Sequence, residues 1–329
     1  MVFSDGECSV LTPRAIPNTL KRLARRLFPN QALQDEFVQS LSQPAGYPVA
    51  VVWIRDRPAV PVFDALPRPC WMPDYVDLVS FDQRPGQHEL HEQGAFYCVD
   101  PSSVFMAIGM SSVSDPATVL DVCASPGGKS VMAWRGMNPA ELWCNEVIGK
   151  RLPALISNLK RCRISPVFVV TADTMILAET ARQTADVVLV DAPCSGQSLI
   201  ARGKKSPGCF HPATINMNAN RQRRILANST ALVKPGGCLI YMTCTYSLKE
   251  NERNVEWLLK KHTQFEAQTV DAVTDYRSSH TEVPCYRLWP MQGEGAGGFM
   301  AVLKNNATPD NERQPEGTLR NLRIRWNSE

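Results

Sequence analysis

Two thiols stand where apolar runs end. Cys194 lies in Asp191-Ala192-Pro193-Cys194-Ser195-Gly196, directly behind Val187-Val188-Leu189-Val190, and Cys244 lies in Thr243-Cys244-Thr245, behind Cys238-Leu239-Ile240-Tyr241-Met242. Most free cysteines are small buried hydrophobes, and Cys123, Cys144 and Cys238 read that way. A thiol at the carboxyl end of a buried strand has a second reading, as a reactive group at the mouth of a sheet. In a parallel sheet those ends line one crevice, so two thiols 50 positions apart can face one ligand.

A third strand end carries a small-residue loop, Asp121-Val122-Cys123-Ala124-Ser125-Pro126-Gly127-Gly128-Lys129-Ser130. Small residues at a strand-to-helix turn let a ligand approach the backbone, and the following helix offers free N–H groups. Gly128-Lys129-Ser130 imitates the end of a phosphate-binding loop, but Cys123 occupies the position where that motif needs glycine. The dinucleotide fingerprint is missing as well. Glu146 follows Asp121 by 25 positions and closes the next strand, where an acid can hold both hydroxyls of a ribose; the plain alternative is an exposed strand-end carboxylate. Loop and acid together suggest a nucleoside cofactor without a pyrophosphate, a description that S-adenosyl-L-methionine fits.

The elements that must position these groups alternate from about residue 117 onward. Strands are expected at 118–122, 141–145, 167–170, 187–190 and 238–242, helices at 129–135, 151–161, 175–182, 218–232 and 250–262, and two further strands near 265–270 and 299–303. This pattern predicts an α/β fold with a doubly wound, mostly parallel, seven-stranded sheet. Residues 1–95 read differently, as a small α+β domain with a helical segment through Ser40 and a strand within 47–54. The methyl-donor unit is then 96–304, and the polar stretch 305–329 is expected to be disordered or loosely docked.

Composition narrows the partners. No apolar run among the 329 residues approaches the ~18 needed to span a bilayer. With 35 basic and 32 acidic residues the net charge of +3 neither demands nor excludes a polyanion, so local clusters must carry that argument. Eleven cysteines without C-x-x-C spacing and five scattered histidines argue against a metal site and for a reducing compartment, the cytoplasm. The basic stretch Thr19-Leu20-Lys21-Arg22-Leu23-Ala24-Arg25-Arg26-Leu27-Phe28 could be a transit segment; an ordinary basic surface helix explains it as well, and Asp5 and Glu7 favour that reading.

The residues 123–129, 191–196 and 243–245, in this order and spacing, resemble the RNA cytosine-5 methyltransferases of the RsmB/Nop2/Sun type. The resemblance also takes in 94–103, Lys234-Pro235-Gly236-Gly237, Glu250-Asn251-Glu252 and Gly298-Phe299, and so spans residues 94–304. It implies the class I Rossmann-like methyltransferase fold, S-adenosyl-L-methionine as cofactor, and an RNA-binding character for residues 1–95. Carbon 5 of cytosine is a weak nucleophile, which is why such chemistry uses two thiols: one adds to carbon 6, and a second group removes the carbon 5 proton for release. The resemblance assigns addition to Cys244 and release to Cys194. It places Asp191 on the amino edge or ring nitrogen of a flipped base and Lys129 on its carbonyl side. It sets the cofactor against Cys123, Ala124, Ser125, Pro126, Gly127, Gly128 and Lys129, with Asp191 bordering it, Glu146 on the ribose, Arg151 nearby and Asp173 at the adenine end. For Asp173 the plain alternative is a helix cap.

Basic residues at Arg202, Lys204, Lys205, Arg221, Arg223 and Arg224 are candidates for backbone phosphates, with Phe210 or His211 stacking on a base; a solvated basic face is the bland alternative. Val99, Gly297 and Trp53-Ile54-Arg55 depart from the family pattern, and none is a proposed catalytic residue. The expected activity is therefore cytosine-5 methylation of ribosomal RNA by a monomer, without metal or membrane. Transfer RNA is the alternative substrate, and an idle RNA-binding ribosome-assembly factor the alternative function. A DNA cytosine-5 methyltransferase attacks with a Pro-Cys cysteine usually followed by glutamine; here Ser195 follows, and Cys244 would be unexplained.

Overall fold

The computed structural model describes residues 17–43, 46–308 and 318–328. Four short strands, β1 (Val49–Trp53), β2 (Ala65–Leu66), β3 (Val76–Val79) and β4 (Phe96–Val99), form an antiparallel sheet in the order β2-β3-β1-β4. The small sheet thus takes in residues just beyond 95. The remaining strands are β5 (Thr118–Asp121), β6 (Glu141–Asn145), β7 (Val167–Val170), β8 (Ala185–Asp191), β9 (Val233–Thr243), β10 (Phe265–Gln268), β11 (Tyr286–Leu288), β12 (Gly298–Asn305) and β13 (Ile324–Ser328). They make one large sheet in the order β10-β12-β9-β8-β5-β6-β7-β13, with β11 added on β12. Its centre, β9 to β7, is parallel, and β10, β11, β12 and β13 pair antiparallel.

Ten α-helices complete the described chain: α1 (Asn18–Leu27), α2 (Gln31–Ser42), α3 (Glu89–Glu92), α4 (Pro101–Ala107), α5 (Gly128–Met137), α6 (Leu152–Arg161), α7 (Thr174–Thr180), α8 (Ser198–Ala201), α9 (Pro212–Thr230) and α10 (Glu252–Lys261). Both faces of the large sheet are apolar, so its strands read as unbroken hydrophobic runs. Val119, Leu142, Val187, Leu189 and Ile240 face α4, α5 and α6, and the same core continues to Ala50, Val52 and Val76 of the small sheet. Leu120, Trp143, Val188, Leu239 and Tyr241 face α7, α9 and α10. The order of strand addition reverses between the parallel neighbours β5 and β8: β5 leads outward to β6 and β7, while β8 leads the other way to β9 and β12. Such a switch point opens a crevice at the strands' carboxyl ends, where ligands of open α/β sheets bind.

The expected seven strands are present, together with two that the sequence pattern does not reveal. Three-residue β11 is too short to show a period. The end of the chain, expected to be disordered or loose, docks as β13 on β7, with Leu319 and Leu322 buried and the Arg320 guanidinium 4.0 Å over the Phe168 ring. An edge strand needs few apolar residues, so composition hides it; residues 309–317 of that stretch lie outside the described residues. Helix α9 starts six residues earlier than its polarity suggests, because Asn218 and Gln222 are buried and break the apolar period. Helices α1 and α2 leave the small sheet and pack with Ala201, Tyr246 and Ala296 of the large unit. The apolar face of α1, Leu20, Ala24 and Leu27, is consumed there, as an ordinary amphipathic helix would have it. No helix among the described residues is long and apolar enough to cross a membrane.

Candidate active site

Strands β8 and β9 are neighbours paired in parallel, Asp191 beside Met242. Cys194 and Cys244, each a few residues past that pairing, therefore meet, with 3.1 Å between their sulfurs. Both are partly buried. At this distance one thiol donates to the other, and their surroundings decide which keeps the proton. Cys244 is pulled below the ordinary thiol range chiefly by the hydrogen bond from Cys194; burial and the Asp191 carboxylate oppose this, while the Lys129 ammonium and the Ser198 hydroxyl add to it. Cys194 is pushed up, first by that same hydrogen bond, then by burial and the negative charges of Cys244 and Glu250. Of the two thiols Cys244 is therefore the one favoured to ionise, with Cys194 favoured to keep its proton.

The ammonium beside Cys244 comes from an unusual place. Lys129 sits in the first turn of α5, where a cation opposes the helix dipole, and it is buried. Asp191 compensates, with Oδ2 3.3 Å from Nζ. The turn before α5 is shaped by Gly127 at φ +112°, a left-handed conformation that glycine adopts without strain. Ser130, one residue past Lys129, donates to Asp121 Oδ2 at 2.7 Å; burial raises the Asp121 carboxyl to about 7.

The other side of the crevice is built from β6 and β7. Glu146 is buried; its Oε1 accepts from Ile148 N at 2.8 Å, and Arg151 Nη1 lies 3.0 Å from Oε2. That contact is off the hydrogen-bond direction, so Oε2 has no donor. The Arg151 charge offsets the burial of this oxygen, which keeps its capacity to accept a hydrogen bond from a ligand. Arg151 also closes the loop, donating to the Ser125 carbonyl while its own carbonyl accepts from Ser125 Oγ at 3.0 Å. The Ser125–Pro126 peptide is cis. Cys123 is partly buried, Ala124 N donates to Asn145 O, and Pro126 O accepts from Asn158 Nδ2. Asp173 is exposed and spends Oδ1 capping α7 through Met175 N at 2.9 Å, in keeping with the helix-cap alternative.

The sequence assigns no role to several positioning residues, although Asp100 and Glu250 lie within segments of the family resemblance. Asn145 donates to the carbonyls of Val122 and Ala172 and accepts from Ala172 N, lacing the ends of β5, β6 and β7. Glu250, fully buried, accepts from Ser195 N at 2.8 Å, Ser195 Oγ at 2.6 Å and Gln222 Nε2 at 3.0 Å, while Gln222 also donates to Pro193 O. These bonds clamp the Cys194 loop to the segment after Cys244. Asp100 gathers Ser102, Ala296 and Arg202, so one cation of the 201–207 loop is already paired. His211 is exposed and caps α9 by accepting from Ala213 N, and Phe210 is half-buried against the α1–α2 cluster.

Solved structures share this architecture. A methyltransferase homolog protein from Pyrococcus horikoshii superposes with a TM-score of 0.68 at 20% identity, covering 88% of this chain and 99% of that one. The structure of NSun6 from Pyrococcus horikoshii with SFG gives 0.65 at 18% identity, covering 89% and 99%. The fold is thus that of the Rossmann-like methyltransferases. Residues 110–304 match the family described as 16S rRNA methyltransferase RsmB/F, and the chain belongs to it. Among curated relatives, Ribosomal RNA small subunit methyltransferase F of Pectobacterium carotovorum subsp. carotovorum (strain PC1) is 26% identical over 313 residues, 90% of this chain. This chain spans 64% of that relative's length.

Proposed function

We propose that this chain transfers a methyl group from S-adenosyl-L-methionine to carbon 5 of cytosine in RNA, with ribosomal RNA as the substrate class. The observation that carries the reading is the pair of thiols 3.1 Å apart beside the Lys129–Asp191 ion pair, with Cys244 the thiol whose surroundings favour ionisation. The Cys244 thiolate adds to carbon 6, which makes carbon 5 nucleophilic. Asp191 holds the amino edge or ring nitrogen of the base, and Lys129 its carbonyl side, stabilising charge that develops on addition. S-adenosyl-L-methionine, when bound, supplies an electrophilic methyl group.

Forming the carbon–sulfur bond neutralises Cys244, and with it goes the main influence holding the proton on Cys194. Cys194 can then give its proton to solvent and, as a thiolate, take the carbon 5 proton. The electron pair of the carbon 5–hydrogen bond forms the carbon 5–carbon 6 double bond as carbon 6 expels Cys244 as thiolate. For the cofactor, the donor-less Glu146 Oε2 suits a ribose hydroxyl, the loop of residues 123–129 lets a ligand approach its backbone, Arg151 fixes that loop, and Asp173 keeps its second carboxylate oxygen for the adenine end. The family and the relative's name support ribosomal RNA. Residues 1–95 are assigned to RNA binding on the same reading. One copy carries both thiols and the cofactor loop and the chemistry needs no metal, so a monomer suffices; ten free cysteines among the described residues suit the cytoplasm.

Labelled cofactor and bulk RNA test this directly. Cys244→Ala should abolish transfer and leave cofactor binding intact, Cys194→Ala should accumulate a protein–RNA adduct, and the double variant should form none. Activity in Cys244→Ala, with Cys194→Ala inactive and adduct-free, would reverse the two roles. No transfer by the wild type to any RNA would leave the idle assembly factor.

A further inference from the structure

A basic groove of about 530 Å³ lies beside the crevice, between α9 and α10, lined by Arg223, Lys249, Arg253 and Lys260 with Trp257 at its wall. We propose that it is a binding site for single-stranded RNA, holding the strand that flanks the target cytosine. The inference rests on the proposed function for its direction but on separate residues for its substance.

Charge is the first argument. The groove gathers four cations against the single carboxylate Glu256, although the whole chain has a net charge of only +3. Among the described residues only Arg253 of these four has an acidic partner, Glu256 at 2.7 Å. Lys249 donates to the neutral Asn216 side chain at 2.6 Å, Arg223 donates to Asn254 at 3.0 Å, and no ion pair among the described residues engages Lys260. Cations held in place by amide oxygens keep their charge for a ligand.

Geometry is the second. Residues 253, 256, 257 and 260 recur at three- and four-residue spacing and share the outer face of α10, about 10 Å long from Arg253 to Lys260. Leu248 and Lys249, at the crevice end of the groove, follow Cys244 by four and five residues. A strand leaving the crevice would meet Lys249 first and then run along the helix. Trp257 is half-buried with the Arg223 guanidinium 5.5 Å from its ring centre, a cation held against an aromatic wall. Basic grooves with an aromatic platform bind single strands without reading their sequence.

The test measures binding of a short single-stranded RNA to the full chain across a salt series. Lys249→Ala/Lys260→Ala should weaken binding about tenfold at low salt and reduce the log–log salt slope by about 1.4, the value for two lost phosphate contacts. Glu256→Gln should tighten binding, the reverse of what a stabilising ion pair predicts, and Trp257→Ala should weaken it with the slope unchanged. Thermal melts and cofactor binding should match the wild type for the lysine variant. An unchanged affinity and slope in that variant, while the wild type methylates RNA, overturns the groove and leaves the activity standing. A wild type that binds RNA through the groove but never methylates it overturns the activity alone.

Discussion

Lys129 is the clearest mark of function at the level of single residues. Burying an ammonium in the first turn of a helix opposes both solvation and the helix dipole, so stability alone would not select it. Its charge helps hold Cys244 ionised. Replacing it in Lys129→Met should therefore raise the Cys244 pKa, and the alkylation rate of the peptide bearing Cys244 should rise with pH later than in the wild type. At a pH below both pKa values, raising the pKa by one removes about nine-tenths of the thiolate, so reactivity in that range should fall about tenfold for each such step. An alkylation profile that does not move would remove Lys129 from the ionisation of Cys244. The two cysteines were legible as a pair from residue type and strand-end position, while Asp191 and Lys129 entered through the family resemblance. Glu250 entered only as part of a resembling motif, and its clamping role was not legible, because its partners Ser195 and Gln222 lie 55 and 28 positions upstream and no local pattern joins them.

At the scale of elements, the segment after Cys244 is held by α10, and α10 is fastened to β11 by a buried ion pair. Arg287 Nε and Nη2 lie 2.5 and 2.6 Å from the two oxygens of Glu252, and Ser278 Oγ donates to the same carboxylate. Burial alone would raise the Glu252 carboxyl; the Arg287 charge and these hydrogen bonds outweigh it and hold it below the ordinary value. A folded pKa below the unfolded one stabilises the protein above about pH 4.3, and this contribution is lost as pH falls through the lower folded value. Arg287→Met strands a buried carboxylate and should cost about 3–5 kcal/mol at neutral pH. In that variant protonation relieves the carboxylate, so the deficit against wild type should narrow toward pH 4; equal deficits in urea melts at both pH values would contradict the assignment. The parallel strands were legible because both their faces are apolar. Strand β11 was not, since three residues display no period and its register comes from β12.

The whole molecule is joined by cores that cross the boundaries suggested by composition. One apolar core runs from the small sheet under the large one, and another joins α1 and α2 to loops near the thiols. A change of composition near residue 95 was readable, whereas the partners of each apolar face were not, because long-range packing leaves no periodic trace. The same holds at the other end. Residues 318–328 close the sheet on β7, burying Leu319 and Leu322, with Ser328 Oγ donating to the Ile164 carbonyl at 2.7 Å. Ending the chain after Thr308 removes both leucines from the core and should destabilise the protein by about 3–6 kcal/mol, given roughly 1.5–3 kcal/mol for each buried leucine. Because β13 adjoins β7, with β6 and β5 between them and the thiol-bearing β8 and β9, methyl transfer at a temperature where the truncated chain stays folded should match the full chain. A urea midpoint that does not move would mean that the docked strand adds nothing to stability. Lost transfer in a folded truncation would mean instead that the tail reaches the crevice or the RNA.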